Sequence, residues 1–222
     1  MKAPIIVLEG LDACGKSTQI EILRANLEKK GLKVGWMRFP RYTKTAFGAK
    51  IAAYLRGEMG QMEDLAPEMI AGLYAGDRFV SLLEVETLQK ENDVVIFDRG
   101  VSSNLIYTPA RANSPAEATR LSHYIEQLEY DLYAFPRESL VIFLDASEKA
   151  REIIHKAKNR LADLHESDEI YLKKVRKIAL QRCEQDFRWT KVLVDKGGTL
   201  RQRLEIAKEI ENLVLERLQR NK

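Results

Sequence analysis

The strongest constraint on the fold is a short segment, IIVLEGLDACGKST, at residues 5–18. An apolar run precedes the spacing G-x-x-x-x-G-K-S, formed by Gly10, Gly15, Lys16 and Ser17. A glycine-rich turn between a strand and a helix directs backbone N–H groups at phosphate oxygens, while the lysine reaches the terminal phosphates and the hydroxyl binds Mg²⁺. The segment therefore predicts a nucleoside triphosphate site made of Gly10, Leu11, Asp12, Ala13, Cys14, Gly15, Lys16, Ser17 and Thr18. The alternative is a tight turn with a solvated lysine.

Four more apolar runs follow the first one, and helical patterns separate them. The five predicted strands are residues 5–9, 34–37, 93–98, 139–145 and 191–195. Short, nearly continuous β-branched runs are typical of strands that are buried on both faces. Their alternation with helices predicts an α/β fold, a doubly wound five-stranded parallel sheet with helices on both faces and ligands at the carboxyl ends of the strands. One of these helices is predicted to begin at Pro67 and to continue through Lys90.

The composition narrows the class of protein. Of the 222 residues 45% are hydrophobic, and 36 basic against 33 acidic residues give a net charge of +3. This balance predicts no general affinity for nucleic acid or membranes. Cys14 and Cys183 have no paired spacing, so we expect no disulfide and a cytoplasmic location. Since no linker, repeat, signal peptide or membrane span is recognisable, residues 1–222 are expected to form one domain.

Several motifs together resemble the thymidylate kinase family. They are EGLDACGKSTQ, RFP at residues 38–40, LYAGDR at 73–78, DRGVSSN at 98–104 and LEYDLYAFP up to residue 136. Each match alone is weak, but their order and spacing are specific. The resemblance implies a P-loop kinase that moves the γ-phosphoryl group of ATP to dTMP with the help of Mg²⁺, and a homodimer.

The resemblance also implies an acceptor pocket and a catalytic set. The expected substrate-binding residues are Asp12, Phe39, Arg41, Tyr42, Tyr74, Arg78, Arg99, Ser103, Asn104 and Tyr107. The expected catalytic residues are Lys16, Arg99, Asp12 and Arg160, and the expected metal-binding residues are Ser17, Asp12, Asp98 and Glu166. An aromatic ring four residues from a planar guanidinium could bind a base, although Tyr74 and Arg78 could also form a surface cation–π pair. Asp98 and Arg99 could equally form a buried ion pair with each other.

A charge-rich segment at about residues 151–169 is predicted to be a lid, because phosphoryl transfer must exclude water. Its cations are Arg151, Lys156, Lys158 and Arg160. Some family members have an arginine in the phosphate loop where this chain has Ala13, so we expect Arg160 to supply the catalytic cation. Asp163 and Glu166 are expected to close over the base and the metal. A solvated helix is the alternative for the whole segment.

Two departures from the family pattern leave the acceptor open. Gly100 follows Asp98–Arg99 where the family usually has tyrosine, which predicts a wider or softer corner of the acceptor site, and His165 replaces a frequent tyrosine. A kinase for dUMP, UMP or a nucleoside is therefore one alternative. A nucleotide-dependent ATPase switch and an inactive nucleotide-binding relative are the others. Cys14 could be a reactive thiol or merely a small residue in the loop.

Overall fold

The centre of the fold is a sheet of five parallel strands, seen in a computed structural model that describes residues 2–158 and 168–220. The strands are β1 (Ile5–Glu9), β2 (Val34–Arg38), β3 (Val94–Asp98), β4 (Leu140–Asp145) and β5 (Trp189–Leu193). They lie in the order β2-β3-β1-β4-β5, and every neighbouring pair is parallel. This arrangement confirms the predicted fold class.

Helices connect the strands and cover the sheet. They are α1 (Lys16–Lys29), α2 (Ala46–Leu55), α3 (Pro67–Phe79), α4 (Leu82–Glu91), α5 (Val101–Tyr107), α6 (Pro115–Glu126), α7 (Glu148–Lys158), α8 (Glu169–Gln185) and α9 (Arg203–Arg220). A π-helical segment, Gln127–Leu132, continues α6. Within residues 2–158 and 168–220, no helix is long and apolar enough to cross a membrane.

The three central strands, β1, β3 and β4, are buried at every position because helices cover both faces of the sheet there. In β1, Ile5 and Val7 pack into a core that also contains residues of α5 and α8. Their neighbours Ile6 and Leu8 point the opposite way, into a core that contains residues of α1 and α9. Successive side chains of a strand alternate between its faces, so a strand between two helical layers needs an apolar residue at every position.

Two predicted elements differ from the structure by more than one residue at an end. The fifth strand begins at Trp189 and ends at Leu193, because its register with β4 pairs Val141 with Trp189 and Asp145 with Leu193. Asp195 instead begins a short hairpin of β6 (Asp195–Lys196) and β7 (Thr199–Leu200). The predicted helix from Pro67 to Lys90 is two helices, and α2 was not predicted.

The break between α3 and α4 lies at Val80–Ser81. There the Ser81 hydroxyl donates to the backbone carbonyl of Asp77, at 2.8 Å. Serine hydroxyls that bond to a backbone carbonyl one turn earlier compete with helical hydrogen bonding. The apolar periodicity continues across the break, which is why the pattern alone predicts one helix.

The carboxyl ends of β1, β3 and β4 form the edge that carries the site. β1 is central and pairs with β3 on one side and β4 on the other. Glu9, Asp98 and Asp145 end these three strands, and all three are buried. The first helix, α1, also begins at this edge, so a helix N-terminus lies next to a row of buried carboxylates.

Candidate active site

The phosphate loop joins β1 to α1, and two of its glycines have conformations that other residues rarely adopt. Gly10 has φ of 151°, and a Cβ there would lie 2.7 Å from Cys14 Sγ and 2.9 Å from the Leu144 carbonyl oxygen. Gly15 has φ of 94° and directly precedes the first helical residue, Lys16. Both glycines are therefore needed for the backbone path. No acidic residue lies in the first turn of α1, so nothing in that turn opposes an anion at its N-terminus.

Lys16 lies over the loop that it belongs to. Its Nζ donates to the carbonyl oxygen of Gly10 at 2.7 Å and to that of Leu11 at 3.2 Å. Cys14 lies beside it, buried, and burial raises the pKa of its thiol. A thiol with a raised pKa is a weak nucleophile. This favours the interpretation of Cys14 as a small residue of the loop.

Arg99 connects the loop to the next part of the site. Its Nη2 donates to both carboxylate oxygens of Asp12, at 2.9 and 3.0 Å, and its Nη1 donates to Glu9 Oε1 at 3.0 Å and to the Tyr107 hydroxyl at 3.4 Å. Burial opposes the charged form of Arg99, but the negative charge of Asp12, with that of Glu9, outweighs it and raises the pKa of Arg99 well above the ordinary value. The guanidinium is thus a fixed positive charge between the phosphate loop and α5.

Asp98 pairs with a residue other than Arg99. Its Oδ2 lies 3.1 Å from Nε of Arg38, whereas its Oδ1 is buried and has no hydrogen-bond partner among the described residues. A buried carboxylate oxygen without a partner is costly unless a ligand, water or ion satisfies it. Oxygen ligands suit Mg²⁺, so Asp98 and the Ser17 hydroxyl fit the predicted ion. Among residues 2–158 and 168–220, no cluster of three or more histidine, cysteine or acidic residues could hold a metal by itself.

A pocket opens next to Arg99, on the same edge of the sheet. It contains most of the predicted substrate-binding residues, namely Asp12, Phe39, Tyr42, Tyr74, Arg99, Ser103, Asn104 and Tyr107. Phe39 is 1% exposed and packs edge-on against Phe97 at 5.4 Å between ring centroids, so it serves the core as well as the pocket wall. The structure thus brings together predicted residues that are up to 95 positions apart in the sequence, from Asp12 to Tyr107.

Two predicted substrate-binding residues, Arg41 and Arg78, do not line this pocket. Arg41 pairs with Glu84, with Nη2 and Oε1 3.2 Å apart. Arg78 is 1% exposed and forms a bidentate ion pair with Glu129 through Nε and Nη2. Glu129 also accepts a hydrogen bond from Asn104 Nδ2, at 2.8 Å. Arg78 therefore contacts the pocket wall indirectly, through Glu129 and Asn104, and its guanidinium faces Glu129 rather than the ring of Tyr74.

The corner at Gly100 is filled from inside the protein. A Cβ at Gly100 would lie 2.9 Å from Glu138 Oε1, and Gly100 is not part of the pocket wall. Glu138 is buried, which raises the pKa of its carboxyl group, and it accepts hydrogen bonds from the Ser102 backbone N–H at 3.1 Å and from the Tyr130 hydroxyl. The prediction that Gly100 widens the acceptor site is wrong, because Glu138 occupies that space.

Part of the predicted lid cannot be placed. Arg160, Asp163, His165 and Glu166 lie outside the described residues. At the edge of that segment, Arg151 in α7 pairs with Glu169 at the start of α8, with Nη2 3.1 and 3.2 Å from the two carboxylate oxygens.

Several residues of the site were not predicted from the sequence. Tyr171 lines the pocket, and its hydroxyl donates to the Tyr107 carbonyl oxygen at 2.8 Å. Glu9 and Glu129 are fully buried carboxylates that bind pocket residues. Glu9 had a signal, since it ends a predicted strand. Glu129 lies in the LEYDLYAFP motif, but no role was predicted for it. Tyr171 had no signal, because it lies in a helical pattern where an aromatic residue is ordinary.

Comparisons with known proteins agree with this geometry. The thymidylate kinase family model matches residues 8–199. Thymidylate kinase of Mycobacterium tuberculosis strain H37Rv is 30% identical over 169 residues, which are 74% of this chain and 78% of the relative. A probable thymidylate kinase of Archaeoglobus fulgidus is 30% identical over 213 residues, 95% of this chain and 96% of the relative. A solved structure of thymidylate kinase from Candida albicans superposes with a TM-score of 0.74 at 23% identity, covering 97% of this chain and 92% of that one.

A doubly wound sheet, a phosphate loop at its edge and a second pocket beside that loop define a P-loop kinase that acts on nucleotides. The family match covers most of the chain and includes both the loop and the residues of the second pocket up to Tyr171. Within that class, the chain belongs to the thymidylate kinase family.

Proposed function

We propose that this chain transfers the γ-phosphoryl group of ATP to dTMP and releases ADP and dTDP, a step in dTTP synthesis. The observation that carries the proposal is the position of Arg99. Its guanidinium contacts Asp12 in the phosphate loop and also lines the second pocket, next to Tyr107. A cation between two phosphate-binding places is what phosphoryl transfer between two nucleotides requires.

The phosphate loop would hold ATP. Backbone N–H groups of Gly10–Thr18 and the N-terminus of α1 would bind the phosphates, and Lys16 would exchange its two loop carbonyls for the β- and γ-phosphate oxygens. Ser17, Asp98 and Asp12 would hold Mg²⁺ with the phosphates, and Glu166 would join them from the lid. When bound, the ion would neutralise charge on the transferred group.

The second pocket would hold dTMP. Tyr74 would stack on the thymine ring, while Ser103 and Asn104 would bind its polar edge. Arg78 would act on the base through Glu129 and Asn104, because its own guanidinium is buried. Tyr107 would crowd the 2′ position of the sugar and thereby disfavour a ribonucleotide.

The acceptor phosphate would lie between Arg99 and the side chains at the mouth of β2. Phe39 and Tyr42 line that part of the pocket, and Arg41 would have to leave Glu84 to reach it. A phosphate oxygen of dTMP would form the new bond to the γ-phosphorus while the bond to the β–γ bridging oxygen breaks, and ADP would leave with that oxygen. No general base is needed, since the second ionisation of a phosphate monoester has a pKa of about 6.

The remaining expectations come from the resemblance and the composition. We propose that residues 1–222 act as one kinase domain, that the segment at about 151–169 closes as a lid with Arg160 as its catalytic cation, and that the enzyme is cytoplasmic. A homodimer is supported by apolar side chains at the junction of α3 and α4, where Phe79, Val80 and Leu83 are 46%, 53% and 76% exposed.

A coupled ADP-release assay tests the proposal. ATP and Mg²⁺ are combined in turn with dTMP, dUMP, UMP, dCMP, AMP and thymidine. We expect release to depend on dTMP and to fall sharply with UMP. Preference for dUMP, UMP or thymidine would indicate the kinase of another acceptor, ADP release that ignores every acceptor would indicate an ATPase switch, and no release despite nucleotide binding would indicate an inactive relative.

A further inference from the structure

Glu9 is a fully buried carboxylate at the junction of the two nucleotide sites. It is the last residue of β1, its relative exposure is 0%, and it precedes the first glycine of the phosphate loop. It does not line the acceptor pocket. A carboxylate in such a place is strongly disfavoured unless it is paired and hydrogen-bonded. A carboxylate at this buried position therefore needs a structural or functional explanation.

Every acceptor position of this carboxylate is used. Oε1 accepts from the Gly10 backbone N–H at 2.9 Å and from Arg99 Nη1 at 3.0 Å. Oε2 accepts from the hydroxyl of Ser102 at 3.2 Å and from the hydroxyl of Ser103. An ionised carboxylate has about four lone-pair positions, and here four donors occupy them. One side chain thus joins the phosphate loop, Arg99 and the first turn of α5.

The contact with Arg99 has a geometric consequence. Arg99 has a backbone φ of 68°, a conformation that is unfavourable for a residue with a side chain. Its two Nη atoms are held by different carboxylates, Nη1 by Glu9 and Nη2 by Asp12. Asp12 belongs to the loop and lines the pocket, so ligands can alter its contacts, whereas Glu9 is enclosed. Glu9 is therefore the partner that can hold the guanidinium in place throughout the reaction.

We infer that Glu9 is a positioning residue for phosphoryl transfer: it fixes Arg99 and the Ser103 turn of α5 relative to the phosphate loop. The inference rests on the proposed function, since it concerns the alignment of ATP with the acceptor. Transfer rates depend steeply on such alignment, and a displacement of about 1 Å can lower a rate roughly 100-fold. The buried carboxylate of Glu9 is then explained by the alignment of ATP with the acceptor, and not by a contribution to the stability of the fold.

The chain contains a matched control for this inference. Glu138 is also buried, and it binds the same turn of α5 from the other side, through the Ser102 backbone N–H. Its second partner is the Tyr130 hydroxyl. Its contacts with the described residues do not include a hydrogen bond to Arg99 or to the phosphate loop. Glu138→Gln therefore changes a buried carboxylate at the same helix turn without changing the support of Arg99.

The experiment compares steady-state kinetics of the full chain and its variants. Glu9→Gln keeps the shape but places an amide N–H₂ group against the donors of Arg99 or the serines. We expect it to lower kcat/KM for dTMP on the order of 10- to 100-fold, and Glu138→Gln to lower it less than about threefold. Equal losses in the two variants would overturn the inference, as would unchanged kinetics in Glu9→Gln.

A double-mutant cycle with Arg99→Ala separates positioning from a general structural effect. If Glu9 acts through Arg99, Glu9→Gln should lower kcat/KM less than about threefold once Arg99 is absent. The same loss in both backgrounds would contradict the inference. Urea unfolding of each variant shows whether it is folded. If Glu9→Gln is unfolded, Glu9→Asp replaces it in the cycle. Aspartate keeps the negative charge, but its side chain is one methylene shorter, so the carboxylate lies farther from Arg99.

The wild-type assay distinguishes this inference from the proposed function. Absence of dTMP-dependent ADP release from wild type would contradict the function. In that case, calorimetric titration with dTMP still tests the inference: weaker binding to Glu9→Gln than to Glu138→Gln would support it, and equal binding would overturn it.

Discussion

The phosphate loop and the acceptor pocket share one edge of the sheet but are built in opposite ways. The loop consists of nine consecutive residues, and the Lys16 ammonium bonds to carbonyls only five and six positions away. In the pocket, Asn104 is held by Glu129, 25 positions away, and the Tyr107 carbonyl by Tyr171, 64 positions away. A site built from sequence neighbours can be recognised as a motif, whereas a site built from distant segments depends on the packing of the whole fold.

The largest expected effect tests whether the phosphate loop and the acceptor pocket bind their ligands independently. Lys16→Met removes the cation over the phosphate loop, and we expect kcat to fall roughly 1,000-fold, as for the loss of an electrostatic group in other active sites. The affinity for dTMP should change less than about threefold, since Lys16 does not line the acceptor pocket. The ADP-release assay and calorimetry measure the two quantities.

Lys29→Met is the matched control, because Lys29 is the exposed last residue of the same helix. It should leave both quantities unchanged. If Lys16→Met abolished dTMP binding as well, the two regions would form one coupled site.

The second prediction concerns the pocket alone. Tyr74→Leu removes the ring proposed to stack on thymine, and stacking of a base on an aromatic side chain contributes about 1–3 kcal/mol. We expect KM for dTMP to rise roughly 5- to 150-fold while KM for ATP stays within about threefold. Tyr133→Leu is the control, since that ring stacks on Phe79 at 4.5 Å and lies outside the pocket wall. A similar rise in both variants would contradict a specific stacking role.

The third prediction concerns the support behind the pocket. Burial raises the pKa of Glu138 above its ordinary value of 4.5, so the folded state binds this proton more tightly than the unfolded state does. The free energy of unfolding of wild type, relative to Glu138→Gln, should therefore be greatest below pH 4.5 and should decrease as the pH rises through the raised pKa. Urea unfolding of both proteins across this pH range measures the difference between their free energies of unfolding. If this difference increased with pH, the raised pKa of Glu138 would be contradicted.

The fourth prediction concerns a residue of the phosphate loop that is expected to be chemically inert. Cys14 is 2% exposed, and burial raises its pKa, so alkylation by iodoacetamide should be at least roughly 100-fold slower in the native protein than in urea. Mass spectrometry of the labelled peptide measures both rates, with the half-buried Cys183 as the internal comparison. Fast labelling of native Cys14 that ATP prevents would instead support a reactive thiol in the loop.

Local patterns were sufficient for the fold class and for the loop. Continuous apolar runs at strand length, separated by helices, indicate strands buried on both faces, and the five strands lie where these runs occur. Gly10 and Gly15 were recognisable because their conformations exclude most other residues. The break between α3 and α4 was missed, because the apolar periodicity continues across Val80–Ser81.

Resemblance to a family located the pocket but not the details of its wall. Arg78 and Gly100 are two positions where the resemblance gave the wrong local environment. The motif suggested that Arg78 faces the base, but a buried carboxylate, Glu129, holds its guanidinium. Gly100 suggested extra space, but Glu138 fills it. In both cases the deciding partner lies more than 30 residues away in the sequence, and nothing near either position indicates it.

The sequence by itself thus determined the parallel sheet, the phosphate loop and the edge at which ligands bind, because strand burial and glycine conformation are local properties that each leave a local pattern. Only the tertiary structure decided which carboxylate each arginine meets. The Arg99 contacts with Glu9 and Asp12 and the Arg78 contact with Glu129 join residues 51 to 90 positions apart. The strength of a buried ion pair depends on distance and enclosure in space, and these are set when β1, β3 and the surrounding helices pack together.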